Sequence, residues 1–403
     1  MRKISLQNLL FNFLGEKTSI KIKYPGKSLG KVILTIFLLV FVTANSSFTQ
    51  QKPSLTLKQA FEGDFLMGAA MNMFQFSGRD TLGAAIVKEQ FNSISPENVL
   101  KWERVHPEPG KYNFGPSDQY VEFGMNNNMF IIGHNLVWHH QTPRWVFEDK
   151  DGKPLDRAEL LKRMHDHIQT VVGRYKGKIK GWDVVNEALN DNGTLRHSEW
   201  FKIIGPDFIE KAFQYAHEAD PKAELYYNDY SMGNKLKREG AIKIYKDLRA
   251  KGIPITAIGA QMHLKLGLFD SLNIDSMFAD FKNNGIKVMV TELDIDVLPM
   301  PSRNMGANVG LNFQRTSKLN PYKNALPDSV NQKLADAYQT LFKIFLKYKD
   351  EIKRVTFWGV RNGDSWLNNW PVFGRTNYPL LFNRNGKPNL SFYKVIKDAA
   401  ANK

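Results

Sequence analysis

Short apolar segments alternate with longer amphipathic segments along most of this chain. The apolar segments are nearly continuous, which is typical of parallel strands covered on both faces. In the amphipathic segments, residues 160–175 and 331–348, apolar side chains recur every three or four positions, which predicts helices. Thr56 and Gln59 form a capping-box pattern that predicts a short helix at 56–61, and another helix is predicted from about Asn389. Eight apolar segments can be marked, at residues 65–71, 91–95, 130–136, 179–185, 224–227, 257–261, 287–291 and 355–358.

This alternation predicts an α/β fold in which helices cover a parallel sheet. Eight strands favour closure into a (β/α)8 TIM barrel, forming one domain at residues 55–403. A doubly wound open sheet is the competing interpretation, but the segment from Gly68 to Asn72 lacks the glycine-rich phosphate loop expected there. A long interval rich in Pro, Asn and Gly, residues 299–327, is either a surface insertion or a loop that shapes a cleft.

The first 44 residues differ from the rest of the chain. Seven basic residues and one acid precede an apolar run from Val32 to Ala44, which resembles a signal peptide more than a membrane span. We therefore expect an exported protein (secreted, periplasmic or at the cell surface), membrane-anchored if this leader is not cleaved. Residues 45–54 are read as a polar spacer. Removing the leader's seven basic residues and one acid lowers the formal net charge from +15 to +9.

The remaining basic residues are scattered and form no stripe, so no nucleic-acid partner is expected. The sequence has no cysteine, which excludes disulfides, thiolate metal sites and a cysteine nucleophile. We expect no cofactor, no metal, no obligate protein partner and a monomer. The pattern Asp294-x-Asp296 is a weak cation candidate, and the histidine pairs His139-His140 and His165-x-His167 are poorly spaced for chelation.

Polar residues able to bind a polyol end nearly every predicted strand. In a barrel, these strand ends converge on one mouth, where the active sites of this fold lie. Two carboxylates among amides, histidines and tryptophans suit glycosidic cleavage, which needs a proton donor and a second carboxylate at the anomeric carbon. Serine hydrolysis would require a nucleophile elbow, and the sequence has none. The strand-end residues are Asn72, Glu97, Asn98, Lys101, His134, Trp138, His139, Asn186, Glu187, Asn228, Asp229, Tyr230, Gln261, His263, Glu292, Asp294, Trp358, Asn362 and Trp366.

From about Thr56 to the C-terminus, the chain resembles glycoside hydrolase family 10, the endo-β-1,4-xylanases. The resemblance depends on several motifs in the right order. Together they are far more specific than any one alone. They are Pro96-Glu-Asn-Val-Leu-Lys-Trp102, Gly133-His-Asn-Leu-Val-Trp-His139, Trp182-Asp-Val-Val-Asn-Glu187, Tyr227-Asn-Asp-Tyr230, Gly259-Ala-Gln-Met-His263, Thr291-Glu-Leu-Asp294 and Thr356-Phe-Trp-Gly359.

The resemblance implies a retaining mechanism with Glu187 as acid/base and Glu292 as nucleophile, their carboxyl groups about 5–5.5 Å apart. His263 would hold the nucleophile in its charged form, and Asn186 would contact the 2-hydroxyl of the sugar being cleaved. Xylan and xylo-oligosaccharides are the implied substrates. The other implied substrate-binding residues are Glu97, Asn98, Lys101, His134, Trp138, Tyr230, Gln261, Trp358 and Trp366.

Two alternatives remain at this point: activity on β-1,4-glucan, alone or together with xylanase activity, and a non-catalytic xylan-binding barrel. Both glutamates and the supporting Asn186 and His263 are present, which argues against the second. The sequence departs from the family at Asn362, where Asp is common. We expect activity to survive this change with altered hydrogen bonding in the loop. Trp145, Trp182 and Trp200 match no binding position and are predicted to pack in the core.

Overall fold

Eight parallel strands form the centre of the molecule, and each coincides with one of the predicted apolar segments. The structure is a computed structural model that describes residues 55–302, 308 and 310–401. The strands are β1 Leu66–Met71, β2 Ser93–Pro96, β3 Phe130–Trp138, β4 Gly181–Asn186, β5 Glu224–Asp229, β6 Ala257–Ala260, β7 Val288–Asp296 and β8 Ile352–Phe357.

The sheet closes into a barrel. Each strand pairs in parallel with the next strand along the chain, including β6 with β7 through Ile258 and Val288, and β8 pairs back onto β1. A three-residue strand, His263–Lys265, adds to the outer part of β7. The predicted (β/α)8 barrel is therefore confirmed, and the open sheet is excluded because it would leave two unpaired edges.

Helices cover the barrel, and the predicted ones are present. The capping box at Thr56 and Gln59 is formed, and the helices predicted at 160–175, 331–348 and after Asn389 occur close to those bounds. The helices are α1 Leu57–Ala60, α2 Met73–Phe76, α3 Thr81–Gln90, α4 Trp102–Val105, α5 Gly115–Asn126, α6 Arg157–Arg174, α7 Glu199–Ile204, α8 Phe208–Ala219, α9 Lys235–Ala250, α10 Ser271–Asn283, α11 Asp328–Lys347 and α12 Leu390–Ala401.

Two of the three tryptophans predicted to pack in the core are fully buried, Trp182 and Trp200. Trp145 is half-buried and donates its indole N–H to the carbonyl of Pro107 at 3.0 Å. Trp182 on β4 lies in register with Gly133 on β3. A Cβ atom at position 133 would lie 2.1 Å from the Trp182 ring, so glycine is the residue that lets this indole fill the space beside β3.

The predicted leader and spacer, residues 1–54, lie outside the described residues. Within residues 55–302, 308 and 310–401, no helix is both long enough and apolar enough to cross a membrane.

We predict that Gly133→Ala lowers the free energy of unfolding by several kcal/mol, because the new methyl group overlaps the buried Trp182 ring. Gly173→Ala is the matched control. Position 173 is exposed on α6 with open space around its Cβ, and alanine there should add about 0.5–1 kcal/mol. Chemical denaturation of both variants measures the difference, and equal stabilities would contradict the packing account.

Candidate active site

The carboxyl ends of the strands surround one open cleft with a volume of about 400 Å³. Every side chain that the family resemblance implied for catalysis or substrate binding lines this cleft, whereas five other strand-end residues do not: Asn72, His139, Asn228, Asp229 and Asn362. Closure of the barrel brings the implied side chains together, since they come from seven different strand ends. They are Glu97, Asn98, Lys101, His134, Trp138, Asn186, Glu187, Tyr230, Gln261, His263, Glu292, Trp358 and Trp366.

Glu187 follows the last residue of β4 and is buried, with 7% of its surface exposed. Its backbone has φ +57°, a left-handed conformation uncommon for a residue other than glycine. Its two carboxyl oxygens accept hydrogen bonds from the indole N–H of Trp138 and the amide of Gln261, both at 3.0 Å. Burial and the negative charge of Asp229 outweigh these bonds and raise the pKa of Glu187 to about 7. Glu187 is therefore largely protonated below neutral pH.

Glu292 lies on β7 in equally deep burial but keeps its charge. Its oxygens accept hydrogen bonds from the amide of Asn228 at 2.8 Å and from Nε2 of His263 at 3.1 Å. Burial alone would raise the pKa of Glu292. The His263 hydrogen bond, the electrostatic interactions with His134 and His263 and the Asn228 hydrogen bond outweigh burial, so the pKa stays below its ordinary value.

His263 is held between two carboxylates. Its Nε2 faces Glu292, and its Nδ1 lies 3.0 Å from Oδ1 of Asp294. Burial would lower the pKa of His263, but Asp294 and Glu292 outweigh it and raise this pKa to about 10. The ring is thus an imidazolium at neutral pH and donates from both nitrogens. The second oxygen of Asp294 accepts from the indole N–H of Trp366 at 2.8 Å.

A row of three side-chain amides connects the two glutamates. Asn228, which donates to Glu292, and Gln261, which donates to Glu187, both contact the Asn186 amide, at 2.9 and 3.3 Å. Each amide is buried. The row fixes both carboxyl groups relative to one another, because a shift of either glutamate would break a buried hydrogen bond.

Next to Glu187, the cleft carries a cation that lies near the ring of Trp138. The Lys101 ammonium donates to Asn98 at 3.0 Å and Gln141 at 2.8 Å, and it lies 5.1 Å from the centre of the Trp138 ring. Burial lowers the pKa of Lys101, although the negative charges of Glu97, Glu292 and Glu187 act to raise it. Burial also penalises the charged form of Glu97, which raises the pKa of this carboxyl group. Charged and amide groups of this kind can exchange hydrogen bonds with hydroxyls.

His134 and Trp358 form the floor of the same side. Nδ1 of His134 lies 2.9 Å from Asp183 on β4, and the edge of the His134 ring meets Trp358 with 5.3 Å between ring centres. Trp358 is itself 7% exposed. The two rings therefore hold each other in place beneath the cleft.

A fully buried ion pair lies behind Glu187. The ammonium of Lys237 on α9 lies 2.9 Å from Asp229 at the end of β5, with neither side chain exposed. It also lies 3.1 Å from the centre of the Tyr230 ring. Asp229 accepts from the backbone N–H of Leu189, two residues after Glu187, at 3.3 Å. The pair thus holds Tyr230 and the Glu187 segment together.

The two aspartates considered as a cation site are each engaged by donors instead. Asp294 faces His263 and Trp366, and Asp296 faces Lys265 at 2.9 Å and the amide of Asn377 at 2.6 Å. Among the residues that the structure describes, no group of three or more His, Asp or Glu side chains is arranged to bind a metal ion.

Asn362, the departure from the family pattern, is buried and belongs to the loop after β8. Its side-chain oxygen accepts from the backbone N–H of Leu380 at 2.8 Å, and its own N–H donates to Phe382 at 2.9 Å. Aspartate would retain this oxygen acceptor. The position therefore shapes the loop and does not contact the two glutamates.

The prediction missed several side chains that complete the site. Asn228 and Asp229 were recognised as strand-end residues but not assigned to the site, although their motif was visible. Gln141, which binds Lys101, follows β3 with φ +47° and has no sequence signal. Trp370, which lines the cleft, comes four residues after Trp366 and was not singled out.

Comparison with known proteins identifies the family. The sequence profile of Glycosyl hydrolase family 10 matches residues 56–398. The chain belongs to glycosyl hydrolase family 10. It is therefore a glycoside hydrolase by family, and the predicted resemblance is confirmed.

Individual family 10 members are similar along nearly their whole lengths. An endo-1,4-beta-xylanase A of Xylanibacter ruminicola is 46% identical over 352 residues, which are 87% of this chain and 95% of that protein. A family 10 endoxylanase retrieved from a sugarcane soil metagenome superposes with a TM-score of 0.81 at 41% identity, covering 85% of this chain and 99% of that one. A solved structure of a variant in complex with xylotriose has a TM-score of 0.76 at 34% identity, with 85% and 99% covered.

We predict that Asp229→Asn lowers the pKa of Glu187, because it removes a negative charge and leaves the Lys237 ammonium nearby. Carbon NMR titration of labelled glutamate measures this. In Asp229→Asn/Lys237→Met both charges are absent, so the fall should be smaller. The fold should also be better preserved, because Asp229→Asn alone leaves the buried Lys237 ammonium with the more distant, exposed carboxylate of Asp191 at 3.5 Å. Asp280→Asn, which removes the partner of Arg238 instead, should leave the Glu187 pKa unchanged. An unchanged pKa in Asp229→Asn would refute the account.

Proposed function

We propose that this protein is an endo-β-1,4-xylanase that hydrolyses internal linkages of xylan and xylo-oligosaccharides with retention of configuration. One observation carries the proposal: two buried glutamates in one cleft have pKa values shifted in opposite directions. Burial and Asp229 raise the pKa of Glu187 to about 7, whereas His263, acting against burial, keeps the pKa of Glu292 below its ordinary value. Retaining glycosidases need this division of roles. The names of the related family 10 proteins agree with the substrate.

In the first step, Glu187 donates its proton to the glycosidic oxygen while an oxygen of Glu292 attacks the anomeric carbon. The C–O bond to the leaving sugar breaks, the leaving sugar departs with a hydroxyl group, and a glycosyl ester forms on Glu292. The hydrogen bonds from His263 and Asn228 hold the Glu292 carboxylate in place for attack. Because both hydrogen bonds are already formed, the carboxylate does not have to move before it attacks.

In the second step, Glu187 acts as the base. Once the charge on Glu292 has been consumed in the ester, one negative contribution to the Glu187 pKa disappears, so that Glu187 holds its proton less strongly. It then takes a proton from water, the resulting hydroxide attacks the anomeric carbon, and Glu292 leaves as a carboxylate. Two inversions give net retention and restore both starting protonation states.

The remaining cleft side chains hold the polysaccharide across the two glutamates. Glu97, Asn98 and Lys101 offer charged and amide groups to hydroxyls on one side, and Tyr230 presents a ring on the other. Because the cleft is open rather than a closed pocket, a chain can extend in both directions, as cleavage of internal linkages requires. Parallel assays on xylan and β-1,4-glucan distinguish the xylanase from the glucanase alternative.

We predict that Glu187→Ala and Glu292→Ala each lower the rate of xylan hydrolysis by at least about 100-fold. They should differ on an aryl xyloside with a good leaving group. That bond needs no proton donor to break, so Glu187→Ala should retain a fast first step whereas Glu292→Ala stays inactive. Glu108→Ala, at an exposed ion pair with Lys111, is the control and should match the parent. Hydrolysis unaffected by either glutamate substitution would contradict the mechanism.

The basic and apolar N-terminal segment supports a second part of the proposal, that the protein is exported and its leader removed. Mass spectrometry of the intact protein recovered from the producing cells tests this. We expect a mature N-terminus near Ala44, and a full-length chain retained in the membrane fraction would show an uncleaved anchor instead.

A further inference from the structure

Trp370, in the loop after β8, forms an outer layer over one of the predicted substrate-binding tryptophans. Its ring stacks on Trp366 with 4.6 Å between the ring centres and 16° between the planes. Both rings line the cleft, and Trp370 is partly exposed. The cleft wall on this side is therefore two indoles deep.

The inner ring, Trp366, is already engaged by the protein on several sides. Its N–H is donated to Asp294 at 2.8 Å, its ring lies 5.0 Å from the His263 ring, and Trp370 covers one face. In the part of the chain that the structure describes, no aromatic ring other than Trp366 stacks on Trp370. Trp370 is thus the ring of this pair better placed to offer an open face.

A second loop holds Trp370 and its neighbours in place. Four hydrogen bonds join residues 313–322, in the described part of the 299–327 interval, to residues 371–378. They run from the Phe313 N–H to the Pro371 carbonyl (2.8 Å), from Arg315 to the Gly374 carbonyl (2.7 Å), from the Thr376 N–H to the Asn320 side chain (2.9 Å) and from the Tyr378 hydroxyl to the Tyr322 carbonyl (2.9 Å).

Arg375 also holds the loop around Trp370 in place. Its guanidinium donates to the backbone carbonyl of Trp370 at 3.0 Å and to that of Pro299 at 3.3 Å, and the side chain is buried. The conformation around Trp370 is therefore fixed from two sides before any ligand binds, which reduces the entropy lost on binding.

An indole face suits one surface of the proposed substrate. The axial C–H bonds of a xylopyranose ring form flat apolar faces that can lie against an aromatic plane. Met300 and Leu367 line the cleft too and add apolar surface. Polar groups elsewhere in the cleft would bind the equatorial hydroxyls of the same chain.

We propose that Trp370 is a further substrate-contacting residue, whose indole stacks on a xylosyl unit of the chain and which the 313–322 segment holds in position. The proposal depends on the xylan-directed function above and adds a binding surface that the sequence prediction did not include. It also gives the 313–322 segment of the long interval before α11 a role: this segment supports the aromatic wall of the cleft.

A positioning role is the alternative, because Trp370 could act through Trp366, Asp294 and His263 on Glu292. The two roles differ in kinetics. A contact made equally to substrate and transition state affects KM and leaves kcat nearly unchanged, whereas a disturbed nucleophile lowers kcat. Removing a stacked aromatic contact should cost about a tenfold loss of affinity.

Calorimetric titration with xylohexaose tests the proposal, using the Glu187→Ala protein as a non-hydrolysing parent. Adding Trp370→Ala should weaken binding about tenfold, and Trp370→Phe should recover most of the loss. Adding Phe373→Ala, at an exposed ring on the same loop (70% exposed), should change nothing. In the otherwise unmodified enzyme, Trp370→Ala should raise KM for xylan with kcat within about twofold.

Two results would overturn the inference while leaving the proposed function intact. One is unchanged xylohexaose binding in the Trp370→Ala protein, and the other is a fall in kcat with KM unchanged, which would assign Trp370 a positioning role. If the Glu187→Ala parent itself fails to bind xylohexaose, both this inference and the proposed function are wrong.

Discussion

The imidazolium of His263, held between Asp294 and Glu292, is the constraint on which the rest of the cleft depends. Two buried carboxyl groups sharing one cleft would each tend to take up a proton, since burial penalises the charged form of both. His263 makes the two glutamates different, because it donates a hydrogen bond to Glu292 and not to Glu187. Glu187 receives hydrogen bonds from neutral donors, Trp138 and Gln261. These bonds do not offset burial and the charge of Asp229, so the pKa of Glu187 rises. The protein thus prepares an acid and a nucleophile from the same residue type.

The barrel supplies the geometry that this division requires. Glu187 follows β4 and Glu292 lies on β7. These strands are not neighbours in the sheet, so only closure of the sheet directs both side chains into one mouth. The intervening strands provide the connection: Asn228 at the end of β5 and Gln261 just after β6 each bond one glutamate and meet at Asn186. Packing inside the barrel, including Trp182 against Gly133, keeps these strand ends in register.

Much of this arrangement could be predicted from local sequence, and the failures have physical causes. The apolar segments identified all eight strands. The end of β7 was placed too early, at residue 291 instead of Asp296, because the buried outer part of this strand carries the polar residues Glu292, Asp294 and Asp296. In the sequence, polar residues at the end of an apolar segment are typical of a loop. In the structure, these residues are stabilised in the strand by partners far along the chain. The same holds for Asp229, whose buried partner Lys237 comes from a helix face that would normally be read as solvated. Trp370 depends on contacts between two loops, which no periodic pattern encodes.

Trapping the covalent intermediate tests the central claim most directly. A 2-deoxy-2-fluoro xylobioside with a good leaving group forms the glycosyl-enzyme but slows its hydrolysis, because fluorine destabilises the positively charged transition state of both steps. Peptide mass spectrometry then locates the sugar. The account predicts one label, on the peptide containing Glu292, and release of a product with retained configuration when the trapped enzyme turns over. A label on Glu187, or inverted product with no label on either glutamate, would contradict it.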